Sequence, residues 1–70
     1  METIKLNSIQ LTALKIARIE KKLTQEALAF HLNIEQTVYS KIERGHKPIS
    51  ENQFHIIQKL LSLDFSDSDL

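Results

Sequence analysis

The residue types best suited to chemistry are concentrated between Gln36 and Lys47. Turned by about 100° per residue, as on an α-helix, the polar side chains of this stretch fall on one side, and Val38, Tyr39 and Ile42 fall on the other. The polar arc contains no acid and offers amide, hydroxyl and cationic groups, the types that contact base edges and bind phosphates. Its members are Gln36, Thr37, Ser40, Lys41 and Arg44.

The formal net charge of the 70 residues is zero, but the charge is unevenly distributed. Residues 1–48 carry eight basic side chains against five acids, whereas residues 49–70 carry one basic side chain against four acids. The first part is therefore +3 and the second −3. Such asymmetry is compatible with a face that binds an anion such as nucleic acid.

The sequence lacks the residues and spacings of common catalytic and metal sites. It has no cysteine, which excludes disulfides and thiolate zinc sites. His31, His46 and His55 are too scattered for a metal site, and no Ser-His-Asp or paired-carboxylate arrangement is visible. We therefore expect no enzymatic activity, no metal and no cofactor.

The distribution of apolar residues also indicates where in the cell the protein is expected. No run approaches the roughly 20 apolar residues of a bilayer span, and the N-terminus has no signal-peptide pattern. We therefore expect a cytoplasmic protein without a membrane partner.

Capping residues and apolar spacing predict the helices that position these side chains. Asn7 with Gln10 and Ser50 with Gln53 have the spacing of capping boxes, and Thr24 can cap a further helix. Each predicted helix start is flanked by an apolar pair five residues apart, the spacing of a hydrophobic staple. We predict four helices, at about 7–21, 24–32, 35–44 and 50–61.

The predicted fold class is all-α, a bundle of four to five short helices. A single Gly and a single Pro mean few sharp turns, which argues against a small β-barrel or sandwich. Residues 1–6 are expected to form a flexible arm, 7–63 the folded domain, and 64–70 a short helical turn or tail that begins at Asp64. Asn33 and Gly45 lie where a left-handed residue is expected to end a helix.

Apolar side chains at three- and four-residue steps predict the core. The link between the second and third helices, Leu32 to Ile34, is so short that the two helices must cross steeply, as in a helix-turn-helix unit. The predicted core consists of Leu14, Ala17, Leu23, Leu28, Ala29, Leu32, Ile34, Tyr39, Ile42, Phe54, Ile57, Leu60 and Leu61.

Two blocks of sequence resemble the lambda-repressor/Cro-like helix-turn-helix family, also called the XRE family. They are Leu-Thr-Gln-Glu-Ala-Leu-Ala at 23–29 and Ile-Glu-Arg-Gly at 42–45, the latter followed by Pro48. The resemblance extends from Leu14 to about Leu63 and needs no gap. It implies a helical bundle that binds double-stranded DNA, with the third helix in the major groove.

The resemblance also implies a role for individual residues. Arg18 and Glu43 match positions that form a partly buried ion pair between the first and third helices. The residues expected to face bases are Gln36, Thr37, Ser40 and Lys41. Those expected to contact phosphates are Gln25, at a helix N-terminus, and Arg44, His46 and Lys47.

Three residues depart from the family pattern. Asn33 replaces the usual Gly of the turn, and asparagine tolerates the left-handed conformation at some strain. Tyr39 replaces a branched aliphatic residue, so its hydroxyl must find a partner or water. Glu35 replaces the usual Ser or Thr cap of the third helix; it suits the helix dipole but directs a negative charge toward phosphates.

These features predict a small homodimeric transcriptional regulator, expected to be a repressor of a palindromic operator. A phage-type repressor, a restriction–modification controller and an antitoxin with a toxin partner fit the sequence equally. A helical protein–protein interaction module without DNA binding is the alternative, supported by the zero net charge and Glu35. The expected dimer contacts are Ile56, Leu60, Leu63, Phe65 and Leu70.

Overall fold

The computed structural model describes residues 2–63, which form four α-helices and a short antiparallel ribbon. The all-α fold class is therefore confirmed, with a two-stranded addition. The helical turn expected from Asp64 lies outside the described residues. The elements are β1 (Thr3–Ile4), α1 (Ser8–Glu20), α2 (Gln25–Leu32), α3 (Gln36–Glu43), β2 (Ile49–Ser50) and α4 (Glu51–Leu61).

The helices begin where the capping residues predict. At α1, Gln10 N–H donates to Asn7 Oδ1 at 2.7 Å, and Asn7 N–H donates to Gln10 Oε1 at 2.9 Å. Ser50 and Gln53 form the same reciprocal box at α4, with both distances 3.1 Å. These bonds satisfy donors that the first helical turn leaves unpaired, and they confirm both predicted capping boxes.

The starts of α2 and α3 differ from each other. Thr24 Oγ1 accepts from the N–H of Ala27 at 3.0 Å, which confirms the predicted cap of α2. Glu35 precedes α3 without any side-chain cap bond. The start of α3 therefore lacks the side-chain cap that the other three helices have.

Two left-handed residues end helices as predicted. Asn33 has φ 60° and Gly45 has φ 81°. At Gly45 a side chain is disfavoured, because the positive φ strains L-residues and because a Cβ atom there would lie 2.8 Å from Leu11 Cδ1, which would have to move. Lys22 and Ser62 also have positive φ, which their residue types did not indicate.

The N-terminal segment differs from the free arm expected over residues 1–6. Thr3 pairs with Ser50 and Ile4 with Ile49 in the ribbon of β1 and β2, and Leu6 is only 8% exposed. Burial of Leu6 fixes the segment to the core. The expectation of a free arm is wrong for these residues.

The core lies between the four helices and the ribbon. Most of its members match the prediction, and Leu6 and Ile49 are additions. Ala17, Leu23, Ile34, Phe54 and Leu60, predicted as core, are partly buried against it. The buried apolar side chains are Leu6, Leu14, Leu28, Ala29, Leu32, Tyr39, Ile42, Ile49, Ile57 and Leu61.

Helix α2 packs chiefly against α3, as expected for helices joined by three residues. Ala29, on α2, is buried, and so small a side chain allows close approach of two backbones. Helix α3 therefore lies at the molecular surface, with Tyr39 and Ile42 facing the core. Across residues 2–63, no helix combines the length and apolarity needed to cross a bilayer.

Candidate nucleic-acid interface

The two sides of α3 differ as the sequence predicts. Tyr39 and Ile42 are buried, and Val38 is partly buried beside them. The opposite side is open to solvent, apart from Ser40, which is half-buried at its edge. The exposed side chains of this surface, here called the outer side of α3, are Gln36, Thr37, Lys41 and Arg44.

The loop after α3 extends this surface. His46 and Lys47 are exposed, and the N–H of His46 donates to the carbonyl of Lys41 at 2.8 Å, which holds the loop against the helix end. Arg44 Nε donates to the carbonyl of Ser40 at 3.3 Å. The guanidinium therefore lies along its own helix, on the same surface as Lys41.

The exposed charge of residues 35–47 is net positive because Glu43, one of the two acids in this stretch, is buried. Glu43 lies in the same stretch as Lys41, Arg44 and Lys47. Its side chain is only 3% exposed, however, and forms an ion pair with Arg18 of α1. Glu35 is exposed at the start of α3.

The Glu43 carboxylate is the centre of a buried network. Arg18 donates to it through Nε, at 2.8 Å, and Nη2, at 3.3 Å. Gln25 Nε2 donates to Oε1 at 2.8 Å, and the Tyr39 hydroxyl donates to Oε2 at 2.8 Å. Arg18 Nη1 also donates to the carbonyl of Leu23 at 2.8 Å. The network ties α1, α2 and α3 together at one carboxylate.

The network explains the ionisation of its members. Burial of Glu43 favours its neutral form, but hydrogen bonds from Arg18, Gln25 and Tyr39 outweigh burial and hold the pKa of Glu43 below its ordinary value. Burial, and then the bond to the carboxylate, raise the pKa of the Tyr39 hydroxyl far above its ordinary value. The bond to Glu43 raises the pKa of Arg18. The pair is therefore charged, and Tyr39 is a neutral donor.

Gln25 joins this network to the outer surface. It is the first residue of α2 and is half-buried, with one amide N–H directed at Glu43. The side-chain amide carries a second N–H, and the backbone N–H groups of Gln25 and Glu26 belong to the unpaired first turn of the helix. This end of α2 therefore presents donors suited to an anion.

The family model for helix-turn-helix domains matches residues 14–67, which are 54 of the 70 residues. The chain belongs to the helix-turn-helix family. Within it, the chain is of the lambda-repressor-like, or XRE, type, a family of DNA-binding transcription regulators. No curated protein matches the chain. The matched residues include all of α2, α3 and α4, and therefore the whole outer side of α3.

Three of the five predicted dimer contacts of this helix-turn-helix protein lie among residues 2–63. Ile56, Leu60 and Leu63 are half-buried at the C-terminal end of the bundle. Ile56 and Leu60 line, with Lys59, a shallow groove of about 390 Å³ on α4. Phe65 and Leu70 lie outside the described residues.

Sequence reasoning missed two roles within the helix-turn-helix unit. Arg18 and Glu43 lie within hydrogen-bonding distance, but Gln25 and Tyr39 also bind that carboxylate. The four-residue spacing of Tyr39 and Glu43 on one helix was the available signal for the second contact. Gln25 had no local signal, since its bond to Glu43 crosses 18 residues.

Proposed function

We propose that this protein is a homodimeric repressor that binds a specific double-stranded DNA site in the cytoplasm. The observation that carries the proposal is the exposed polar and cationic outer side of α3, on a helix whose opposite side is anchored in the core. An α-helix fits the major groove of B-form DNA, and side chains near its N-terminus reach the base edges.

Base recognition is assigned to the first two turns of α3. Gln36 and Thr37 are exposed at its N-terminal end, and Lys41 follows one turn later. Glutamine amides pair with adenine, and lysine pairs with guanine. Ser40 is half-buried at the edge of this surface. Its short side chain would contact a base only if the helix lies deep in the groove.

Phosphate contacts are assigned to the two ends of the helix-turn-helix unit. At one end are the amide and backbone donors of Gln25; at the other are Arg44, His46 and Lys47. Such contacts fix the orientation of a protein on DNA, whereas base contacts select the sequence. Because Gln25 also binds Glu43, its phosphate contact would be braced by the Arg18 pair.

Dimerisation is assigned to the apolar surface at the end of α4. Ile56, Leu60 and Leu63 supply its described part, and Phe65 and Leu70 would complete it. Two copies related by a two-fold axis, with their α3 helices about 34 Å apart, would match successive major grooves of a palindromic site. A dimer bound at such a site blocks access by other proteins, and it would therefore act as a repressor. Phage-type repressors, restriction–modification controllers and antitoxins share this activity, and an antitoxin would add a toxin as partner.

The exposed carboxylate of Glu35 supports a second candidate, a helical protein-interaction module that does not bind DNA. It lies at the N-terminus of α3, where DNA backbones would approach, and no side-chain cap bond holds it. On this alternative the outer side of α3 would contact an acidic protein surface, with no preference among DNA sequences.

Selection of bound sequences from a random duplex pool, together with the mass of the protein in solution, tests the proposal. We expect enrichment of a two-fold symmetric site and a dimeric mass. Absence of any enriched sequence would favour the interaction module.

Salt dependence then tests the phosphate contacts. If each copy neutralises two phosphates through Arg44 and Lys47, the slope of log affinity against log salt is about −3.6. Lys47→Gln should reduce that slope by about 1.8, since a dimer loses two contacts. Lys21→Gln, at an exposed lysine after α1, is the matched control and should leave the slope unchanged.

A further inference from the structure

Helix α1 carries large apolar side chains that the bundle does not cover. Ile9 is 79% exposed, Ile16 51% and Ile19 56%. Isoleucine on a surface is ordinary when scattered, but three on one helix of 13 residues form a continuous feature.

The three isoleucines and Thr12 form a single row. Turned by about 100° per residue, all four lie within about 40° of the direction opposite Leu14, the fully buried residue of α1. Their spacing of three, four and three residues is that of the a and d positions of a heptad repeat. In that register Ile9 and Ile16 occupy a, and Thr12 and Ile19 occupy d.

Opposite charges flank the row. Lys15 occupies position g and Glu20 occupies position e of the following turn, and both are exposed. Within the described residues neither forms an ion pair. In a parallel pair of helices, g of one helix faces e of the next heptad on the other, so Lys15 would meet Glu20 twice across a two-fold axis. An antiparallel pair would instead place g beside g, which brings Lys15 toward Lys15.

We propose that this row is a self-association surface on which α1 of a second copy packs in parallel. A row of a and d residues can pack against a copy of itself, and only the parallel arrangement is also complementary in charge. The contact lies on a different helix from the α4 surface and does not involve the outer side of α3, so it is separate from the proposed DNA-binding role.

The size of the row sets the strength of the contact. From Ile9 to Ile19 it is about 15 Å long, far less than a standard protein interface requires. The contact is therefore weak between free copies and becomes effective between copies that are already held close. In combination with an α4 dimer, it would join two dimers into a larger assembly.

Cysteine cross-linking without DNA tests the contact directly. The chain has no cysteine, so Thr12→Cys places one thiol at a d position, where equivalent residues face each other in a parallel pair. We expect Thr12→Cys copies to form disulfide-linked pairs about tenfold faster than Glu51→Cys copies, whose thiol is also exposed but lies on α4, turned away from Ile56 and Leu60. Adding Ile16→Glu to Thr12→Cys should abolish the difference.

Charge exchange tests the parallel orientation. Thr12→Cys copies that also carry both Lys15→Glu and Glu20→Lys should cross-link with each other as fast as copies with Thr12→Cys alone, because glutamate and lysine again face each other. A mixture of the two proteins should form few mixed pairs, since a parallel mixed pair places glutamate beside glutamate and lysine beside lysine. Equal rates for Thr12→Cys and Glu51→Cys would overturn the self-association. Faster linkage of Thr12→Cys to Ile16→Cys than to itself, or an excess of mixed pairs, would overturn the parallel arrangement, because an antiparallel mixed pair places glutamate beside lysine.

Discussion

The buried network around Glu43 gives the sharpest prediction, the effect of Tyr39→Phe. The change removes only the hydroxyl that donates to Glu43 Oε2 at 2.8 Å and leaves the ring in the core. Hydrogen bonds to charged groups contribute about 1.5–3 kcal/mol, so the free energy of unfolding should fall by about 2 kcal/mol. In a domain of this size that loss lowers the melting temperature by roughly 8–16 °C.

The pH dependence of this loss separates the network from simple packing. The folded pKa of Glu43 is depressed, so its contribution to stability is present above the unfolded pKa and disappears as the pH falls through the folded pKa. The Tyr39→Phe penalty should therefore be largest near neutral pH and shrink in acid, where a protonated Glu43 no longer attracts the hydroxyl as strongly.

Denaturant unfolding, followed by circular dichroism between pH 3 and pH 7, measures both effects. Thr37→Val is the matched control, because it removes an exposed hydroxyl from the same helix and should change stability by less than about 0.5 kcal/mol. A Tyr39→Phe protein as stable as the parent, or a penalty that does not change with pH, would refute the role assigned to the hydroxyl.

Three further predictions concern separate parts of the molecule. Leu6→Ala should lower the free energy of unfolding by about 2–3 kcal/mol in denaturant titrations, because Leu6 is buried. Unchanged stability would instead indicate that the N-terminal segment is a free arm. Gly45→Ala should lower the free energy of unfolding by about 1–3 kcal/mol, because φ is 81° and the new Cβ would lie too close to Leu11 Cδ1. Unchanged stability would show that the loop relaxes. Glu35→Ser should raise DNA affinity in titrations of the selected duplex, since it removes an exposed acid and supplies a capping hydroxyl; weaker binding would assign Glu35 a contact with DNA.

The parts of the fold that the sequence predicts are those encoded locally. Asn7, Thr24 and Ser50 each fix a helix start through bonds to residues only three positions away. Helical periodicity likewise predicts the exposed polar and buried apolar sides of α3, since both follow from residues within ten positions of each other.

The parts that the sequence does not predict depend on distant residues. The ribbon pairs Ile4 with Ile49, and strands of two residues are too short to show an alternating pattern. The bond from Gln25 to Glu43 depends on how α2 and α3 cross, which no local spacing specifies. The resemblance to the family supplied the pairing of Arg18 with Glu43, and only the structure adds Gln25 and Tyr39 to it.

Contact between the outer side of α3 and the bases of DNA is tested most directly by selection from a random duplex pool, with the parent, Gln36→Ala and the exposed control Asn52→Ala in parallel. We expect one symmetric site for all three proteins, with the preference at one base pair of each half-site lost only for Gln36→Ala. Identical preferences for the parent and Gln36→Ala at every position would contradict contact between Gln36 and a base.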